Sequence, residues 1–232
     1  MNKSLLGASL FALALVAPVA HAHQAGDILV RAGAITVNPK ADSSSVKVDQ
    51  GPLAGTNLGG KATMSSDTQL GLNFAYMITD HVGIELLAAT PFEHDVKIKN
   101  TALGAANGKL GTLKHLPPTL SVVYYPLDHK SAFQPYVGAG INYTWIYDEH
   151  VGSRAEQAGF SNFKAENSWG WAAQIGADYM INDKWMINAQ ARYIDISTKA
   201  TVDNNGLGQG TRAKVNVDVD PIAYMVGIGY KF

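Results

Sequence analysis

Large apolar residues recur at every second position in eight segments of this 232-residue chain, and this period restricts the fold more than any other feature. In the C-terminal segment "DPIAYMVGIGYKF" (220–232), the even positions after Asp220 carry Ile, Tyr, Val, Ile, Tyr and Phe. The odd positions carry Pro, Ala, Met, two Gly and Lys. A period of two places alternate side chains on opposite faces of a strand, whereas an amphipathic helix repeats at 3.6. The pattern therefore predicts an all-β protein.

The spacing of the eight segments predicts a closed barrel. The predicted strands are residues 27–37, 67–79, 82–92, 115–125, 134–147, 168–180, 184–196 and about 213–232. Short connections (80–81, 126–133, 182–183) alternate with long ones rich in Gly, Ser, Asn and Asp (38–66, 93–114, 148–167, 197–212). Long loops on one side and tight turns on the other are typical of outer-membrane barrels. We predict an eight-stranded antiparallel transmembrane β-barrel with four long extracellular loops and short periplasmic turns.

The N-terminus predicts export. Residues 1–22 carry a cation at Lys3, a short apolar run and the sequence Ala20-His21-Ala22 before a cleavage site, which is the pattern of a secretory signal peptide. The run is short for an uncleaved membrane anchor, which needs about 20 apolar residues. Residues 23–232 would then form a single outer-membrane β-barrel domain. The chain has no cysteine for a disulfide framework, and its net charge of −1 argues against a nucleic-acid partner.

The two registers indicate which face meets lipid. All four tryptophans fall on the apolar register, and the opposite register carries many polar side chains. A soluble lipocalin-like barrel is the alternative, but it would bury the tryptophans and these polar groups in one small interior, where unpaired polar groups are costly. The inner polar set is Arg31, Asn73, Glu85, Asn142, Gln174, Asp178, Asn188, Gln190, Arg192 and Lys231.

Five segments in order resemble the OmpW family, and within it the OprG-type members. They are "DTQLGLNFAYMITDHVGIELLAATPF" (67–92), "LPPTLSVVYYP" (116–126), "FQPYVGAGINYT" (133–144), "SWGWAAQIGADYMIN" (168–182) and "VDVDPIAYMVGIGYKF" (217–232). The resemblance implies an outer-membrane barrel with a narrow, partly hydrophobic lumen. It also implies passive passage of small hydrophobic or weakly polar molecules, released sideways into the membrane through an interruption of the wall near the third and fourth strands.

Prolines stand where the resemblance places that lateral gate. Pro91 ends the third predicted strand, and Pro117-Pro118 opens the fourth. Proline cannot donate to a strand ladder, so facing prolines would leave carbonyls unpaired and loosen the seam. The alternative is that these prolines only mark where strands become loops.

The lumen is predicted to have an apolar entrance and a charged floor. Glu85 with Arg31 and Arg192 is expected to form an ion-pair cluster that plugs the half of the lumen near the turns, because buried charges are kept paired. That cluster could also be purely structural. The expected entrance residues are Leu87, Ala89, Phe92, Phe160 and Phe163.

Other functional classes have weaker support. No cofactor or metal site is predicted; His94 and His115 could meet at the mouth, although solvent-facing histidines are the default. A barrel enzyme acting on lipid A would need a set such as Glu149, His150 and Ser153, and we predict no enzyme. A structural or adhesive barrel is the remaining alternative. The expected partners are membrane lipid and lipopolysaccharide, small hydrophobic solutes, and the barrel assembly machinery, which would recognise the C-terminal strand ending in Phe232.

Overall fold

A computed structural model describes residues 22–102, 104, 107–128 and 130–232, and it is built almost entirely of strands. The predicted signal peptide, apart from Ala22, lies outside the described residues. In the described part, no helix has the length and apolar character needed to span a membrane. The eight barrel strands are β1 (Ile28–Asn38), β5 (Asp67–Met77), β6 (Val82–Ala89), β9 (Thr119–Tyr124), β10 (Phe133–Val151), β12 (Ser168–Met180), β13 (Trp185–Ile194) and β16 (Ile222–Lys231).

The eight strands close into a ring of antiparallel pairs. Each strand pairs with the next one along the chain, from β1 to β16. The ring closes because β1 also pairs with β16, for example Arg31 opposite Gly229. Closure gives each of the eight strands a partner on both sides, as a β-structure within hydrocarbon requires. The predicted eight-stranded barrel is confirmed.

The apolar register points outward. The relative exposures of Trp145, Trp169, Trp171 and Trp185 are 50%, 72%, 54% and 45%. A water-soluble barrel would hide such residues, because a monomeric soluble protein seldom exposes large contiguous apolar surface. The polar register is buried instead, including Arg31, Asn73 and Glu85. The outward face therefore suits lipid, and the lipocalin-like alternative is wrong.

The long connections contain strands of their own; the sequence analysis treated these segments as loops, except for residues 213–218, which it placed in the eighth predicted strand. These strands are β2 (Asp42–Ser43), β3 (Val46–Gln50), β4 (Asn57–Met64), β7 (Phe92–Thr101), β8 (Gly108–Leu116), β11 (Phe160–Ala165), β14 (Ser197–Asn204) and β15 (Arg212–Asp218). With the outer part of β10 they form a second sheet, here called the extracellular extension. A short helix, α1 (Ser153–Gln157), also lies there. The extension has its own apolar core around Phe163 and Val215.

Three predicted strands end or divide at prolines. The third predicted strand ends at Ala89 rather than Phe92, and Phe92 begins β7. The fourth divides at Pro117-Pro118 into β8 and β9. The eighth also divides, into β15 and β16, with Pro221 in the gap. In each case proline stands at the break because its ring removes the N–H that a ladder needs.

Candidate functional site: an opening in the barrel wall above a buried ion network

The floor of the lumen is a buried network of charged side chains, here called the ion network. Glu85 Oε2 lies 3.2 Å from Arg31 Nη1, and Glu85 Oε1 lies 2.6 Å from Arg192 Nη2. All three side chains are almost fully buried. Gln174 donates to Glu85 over 2.8 Å and accepts from Arg192. These contacts bring together the three residues predicted as a plug; their role in blocking the lumen stays a prediction.

Asp178 gives Arg31 a second anionic partner. Its carboxylate accepts hydrogen bonds from Arg31 Nε over 3.0 Å and from Arg31 Nη2 over 2.6 Å. Asn188 donates to the same carboxylate over 2.8 Å, and His23 Nε2 lies 2.8 Å from it. The sequence placed Asp178 and Asn188 on the inner face without assigning them partners. It gave no sign that His23, the first residue after the expected cleavage site, would be buried in the network.

An apolar layer lies directly above the ion network. Ile35 and Val37 follow Arg31 along β1, and Leu87 follows Glu85 along β6, so alternation places them one to three inward positions further out. They pack with Phe92, Ala223 and Met225, and Ala89 lies against the same cluster. The predicted entrance residues Leu87 and Phe92 are thus inside the barrel, just above its charged floor.

Small apolar cavities continue this layer into the extension. Phe160 and Phe163, the other predicted entrance residues, line a cavity of about 40 Å³. Phe163 also lines a second cavity of about 30 Å³, with Leu113 and Met64. A third, also about 30 Å³, contacts Leu113 and Met64 again and reaches His115. All three are smaller than the roughly 150 Å³ cavity that holds benzene, so a solute would have to displace side chains.

The barrel wall is interrupted beside the apolar layer. The pairing of β6 with β9 stops at Leu87 and Thr119, and the next two positions in register would pair Ala88 with Pro118 and Ala89 with Pro117. Pro117 has no N–H to donate, so the ladder cannot continue. A cleft of about 230 Å³, here called the wall opening, occupies the gap. Its lining residues are Ala88, Ala89, Leu116, Pro117, Pro118, Tyr143 and Trp145.

The interruption is one-sided. Towards β10 the register runs unbroken through the prolines, from Asn142 opposite Thr119 to Trp145 opposite Leu116. On the side facing β6, Leu116, Pro117 and Pro118 have no ladder partner; they lie between the pairing of β9 with β6 and the pairing of β8 with β7. Pro91, the third predicted gate residue, lies exposed between β6 and β7, two positions after Ala89.

Asn142 satisfies the carbonyls at the prolines. Its Nδ2 donates to the carbonyl oxygens of Pro117 and Pro118, each over 3.1 Å, and to Thr119 Oγ1 over 3.0 Å. The backbone N–H of Tyr143 also donates to Pro118 O over 3.2 Å. That missing proline N–H groups leave carbonyls of the facing strand unpaired stays a prediction, but the carbonyls of Pro117 and Pro118 themselves have donors. The sequence could not reveal this, because Asn142 is only one of many inward polar residues until the register is known.

Two histidines meet in the extension, just outside the barrel. His94 in β7 and His115 in β8 have their Nε2 atoms 2.7 Å apart, and their rings are nearly parallel, at 17°, with 4.8 Å between centroids. Phe92 stacks on both rings. Burial lowers the pKa of His94, and burial together with the neighbouring His94 lowers the pKa of His115 to about 3, although Asp67 opposes both shifts. The pair is therefore uncharged at neutral pH.

Glu149, His150 and Ser153, the residues considered for an enzyme acting on lipid A, lie in the extension. His150 Nδ1 is 3.0 Å from the carbonyl oxygen of Asp148, and Glu149 Oε2 is 3.4 Å from Lys164 Nζ. Ser153 begins α1. The prediction that the chain is not an enzyme stays a prediction.

A closed eight-stranded barrel with an apolar outer face and a polar interior is a transmembrane β-barrel of the outer-membrane type. The sequence model of the OmpW family matches residues 24–232. Outer membrane protein W of Vibrio cholerae serotype O1 is 42% identical over 232 residues, which cover 100% of both chains. The crystal structure of OprG from Pseudomonas aeruginosa has a TM-score of 0.84 at 47% identity, covering 92% of this chain and 99% of that one.

The chain therefore belongs to the OmpW family, and its location in the outer membrane is confirmed, as is the resemblance to OprG. A more distant relative, dibenzothiophene metabolism operon protein PahQ of Pseudomonas aeruginosa, is 28% identical over 174 residues. That match covers 75% of this chain and 76% of PahQ.

Proposed function

We propose that this protein is a passive channel that takes up small hydrophobic or weakly polar molecules and releases them sideways into the outer membrane. A solute would enter the extension, pass between Phe160, Phe163 and Phe92, and leave through the wall opening. The observation that carries this proposal is the position of Ala89. This small residue packs against the apolar layer inside the barrel and also lines the opening in its wall.

The ion network supports a lateral rather than an axial exit. A solute moving straight down would have to displace paired charges whose separation in a low-dielectric interior is strongly unfavourable. In the sideways direction it meets no charged side chain among the residues that line the cleft, and the cleft of about 230 Å³ exceeds the size that benzene requires. The plug formed by Arg31, Glu85 and Arg192 would thus direct the solute through the gate formed by Pro91, Pro117 and Pro118.

Selectivity would follow from the apolar path. A charged solute would lose its hydration without gaining partners in the apolar layer, which is unfavourable by many kcal/mol, whereas an apolar solute gains from leaving water. The name of PahQ links that relative to the metabolism of an aromatic sulfur compound. This link agrees with an apolar aromatic solute for the present chain.

Filling the wall opening tests the proposal. Ala89→Phe adds a ring to the gap, whereas Ala189→Phe adds the same ring to the exposed outer face of β13 and serves as the matched control. We expect Ala89→Phe to reduce uptake of toluene severalfold and Ala189→Phe to leave it unchanged. Uptake is measured in cells that lack their own members of this family, and folding is checked by the gel mobility of the unheated barrel.

Two results would contradict the proposal. Equal uptake by the folded Ala89→Phe protein and the unmodified protein would exclude the sideways exit. Equal uptake by cells with and without the unmodified protein would exclude transport and favour the structural or adhesive barrel.

A further inference from the structure

The hydrogen bonds around the histidine pair fix the proton positions on both rings. His94 Nδ1 lies 2.5 Å from the carbonyl oxygen of Ser65, and a carbonyl can only accept, so Nδ1 carries the proton. A neutral His94 must then have an unprotonated Nε2. That atom accepts from His115 Nε2, 2.7 Å away, so the proton of His115 is on Nε2. His115 Nδ1 is left as an unprotonated acceptor.

This acceptor has no donor among the described residues. His115 Nδ1 is buried without a hydrogen-bond partner there, and only 5% of the residue is exposed. His115 lines the third cavity, whose other walls are mostly apolar, including Val37, Leu113 and Ile196. A buried acceptor without a donor is unfavourable, and most such groups in proteins find a partner.

The cavity lies on the proposed solute path. Phe92 stacks on His115 and belongs to the apolar layer, and Leu116, the next residue in β8, lines the wall opening. On the opposite side Thr144 lines the same cavity and donates to Asn142 Oδ1 over 2.7 Å. The histidine pair thus stands between the extension and the exit.

We propose that His115 forms a solute subsite that accepts a hydrogen bond from an apolar molecule carrying one hydroxyl or N–H donor, such as a phenol or an alcohol. This inference rests on the proposed function and specifies its solute class. A donor-bearing solute loses a hydrogen bond to water when it enters the apolar layer, and His115 Nδ1 replaces that bond. A solute that only accepts hydrogen bonds gains nothing at this atom, because a neutral Nδ1 without a proton cannot donate.

Three aromatic solutes of similar size separate the contribution of a hydrogen-bond donor from those of an acceptor oxygen and of the apolar ring. Phenol carries a donor, anisole has the same oxygen without the donor, and toluene has neither. Protein-dependent uptake of each is measured in cells after subtracting uptake by cells without the protein. We expect the unmodified protein to facilitate uptake of all three.

Two variants test the acceptor. His94→Phe with His115→Phe removes both imidazoles, so that no ring nitrogen is left to accept, and we expect facilitated uptake of phenol to fall severalfold while uptake of toluene and anisole is unchanged. The control is His94→Gln, whose amide oxygen can still accept from His115 Nε2 and leaves Nδ1 free. It should keep the uptake of phenol.

A measurement on the unmodified protein is independent of the variants. Phenol should shift the ¹⁵N resonance of His115 Nδ1 upfield, as expected for a nitrogen that accepts a hydrogen bond, and toluene should not. If phenol leaves this resonance unchanged, or if the double variant changes uptake of all three solutes equally, the proposed His115 subsite is contradicted. The proposed channel function is not affected by either result. If none of the three shows protein-dependent uptake, the proposed function itself fails.

Discussion

Glu85 is the residue on which the floor of the lumen depends most. It is fully buried and holds Arg31 with one carboxylate oxygen and Arg192 with the other. Arg31 has Asp178 as a second anion, but among the described residues no other carboxylate pairs with Arg192, whose Nε and Nη1 also have no partner there. Loss of the charge on Glu85 would therefore affect Arg192 more than Arg31.

Glu85→Gln should destabilise the barrel by about 3–5 kcal/mol, the usual range when one partner of a buried ion pair is removed. The substitution keeps the shape of the side chain and leaves Arg192 buried without an anion. Urea unfolding in lipid vesicles, followed by tryptophan fluorescence, measures the change. Glu166→Gln is the control, because the Glu166–Lys199 pair is exposed and should contribute at most about 1 kcal/mol. Equal destabilisation by the two substitutions would contradict the conclusion that Arg192 depends on Glu85 as its anionic partner.

At the scale of strands, the one-sided break distinguishes an opening from a simple loop. Pro117 and Pro118 interrupt pairing with β6, yet the strand stays in register with β10 and Asn142 holds the proline carbonyls. The gap therefore lies beside a strand whose other edge stays in register with β10, and it is not the frayed end of a strand. This arrangement favours the gate interpretation over prolines that merely mark strand ends.

Replacing the prolines should narrow the gap. Pro91→Ala together with Pro117→Ala restores two N–H donors, and residue 117 could then pair with Ala89 and extend the β6–β9 ladder. We expect uptake of toluene to fall severalfold while the barrel stays folded. Pro126→Ala, in the short connection after β9, is the matched control. Unchanged uptake in the folded double variant would show that the prolines do not shape the exit.

The barrel strands were predictable because lipid outside and polar groups inside impose strict alternation. Most extension strands were missed, although "DVKIKN" (95–100) also alternates, and "AKVNVDV" (213–219) was predicted only as the start of the eighth barrel strand. Outside the membrane the outer face of a strand need not be apolar. Lys and Asp therefore occupy the outward positions of the extension and pair across strands, as Lys109 does with Asp95. The sequences of these strands are then as polar as those of typical loops. Contacts such as Asn142 with the prolines depend on register, which no single segment specifies.

At the scale of the whole molecule, two sheets with different surroundings meet at the wall opening. The barrel exposes its apolar residues to lipid, and the extension buries its own in a core that continues the apolar layer. Ala89 lines the opening and also packs against the apolar layer, and Trp145 and Tyr143 flank the opening. A path that turns sideways at this level avoids both water and the charged floor.

The last strand bears on how this molecule is assembled. Phe232 is 70% exposed; its N–H donates to Ile28 O over 2.9 Å and its ring contacts Tyr230 at 4.6 Å. In the folded barrel Phe232→Ala therefore removes little burial and one aromatic contact of about 0.5–1.5 kcal/mol. If the C-terminal strand is the signal read by the assembly machinery, the same substitution should reduce the amount of barrel in cells far more than it reduces stability.

Refolding and cellular assembly must be compared to separate the two effects. We expect Phe232→Ala to refold into lipid vesicles nearly as well as the unmodified protein, while its folded amount in the outer membrane falls severalfold. Phe133→Ala removes a ring that is 49% exposed at the start of β10 and is the matched control. It should reduce both quantities only slightly, because an internal strand carries no terminal signal. A parallel decline of refolding and cellular assembly in Phe232→Ala would assign its effect to stability alone.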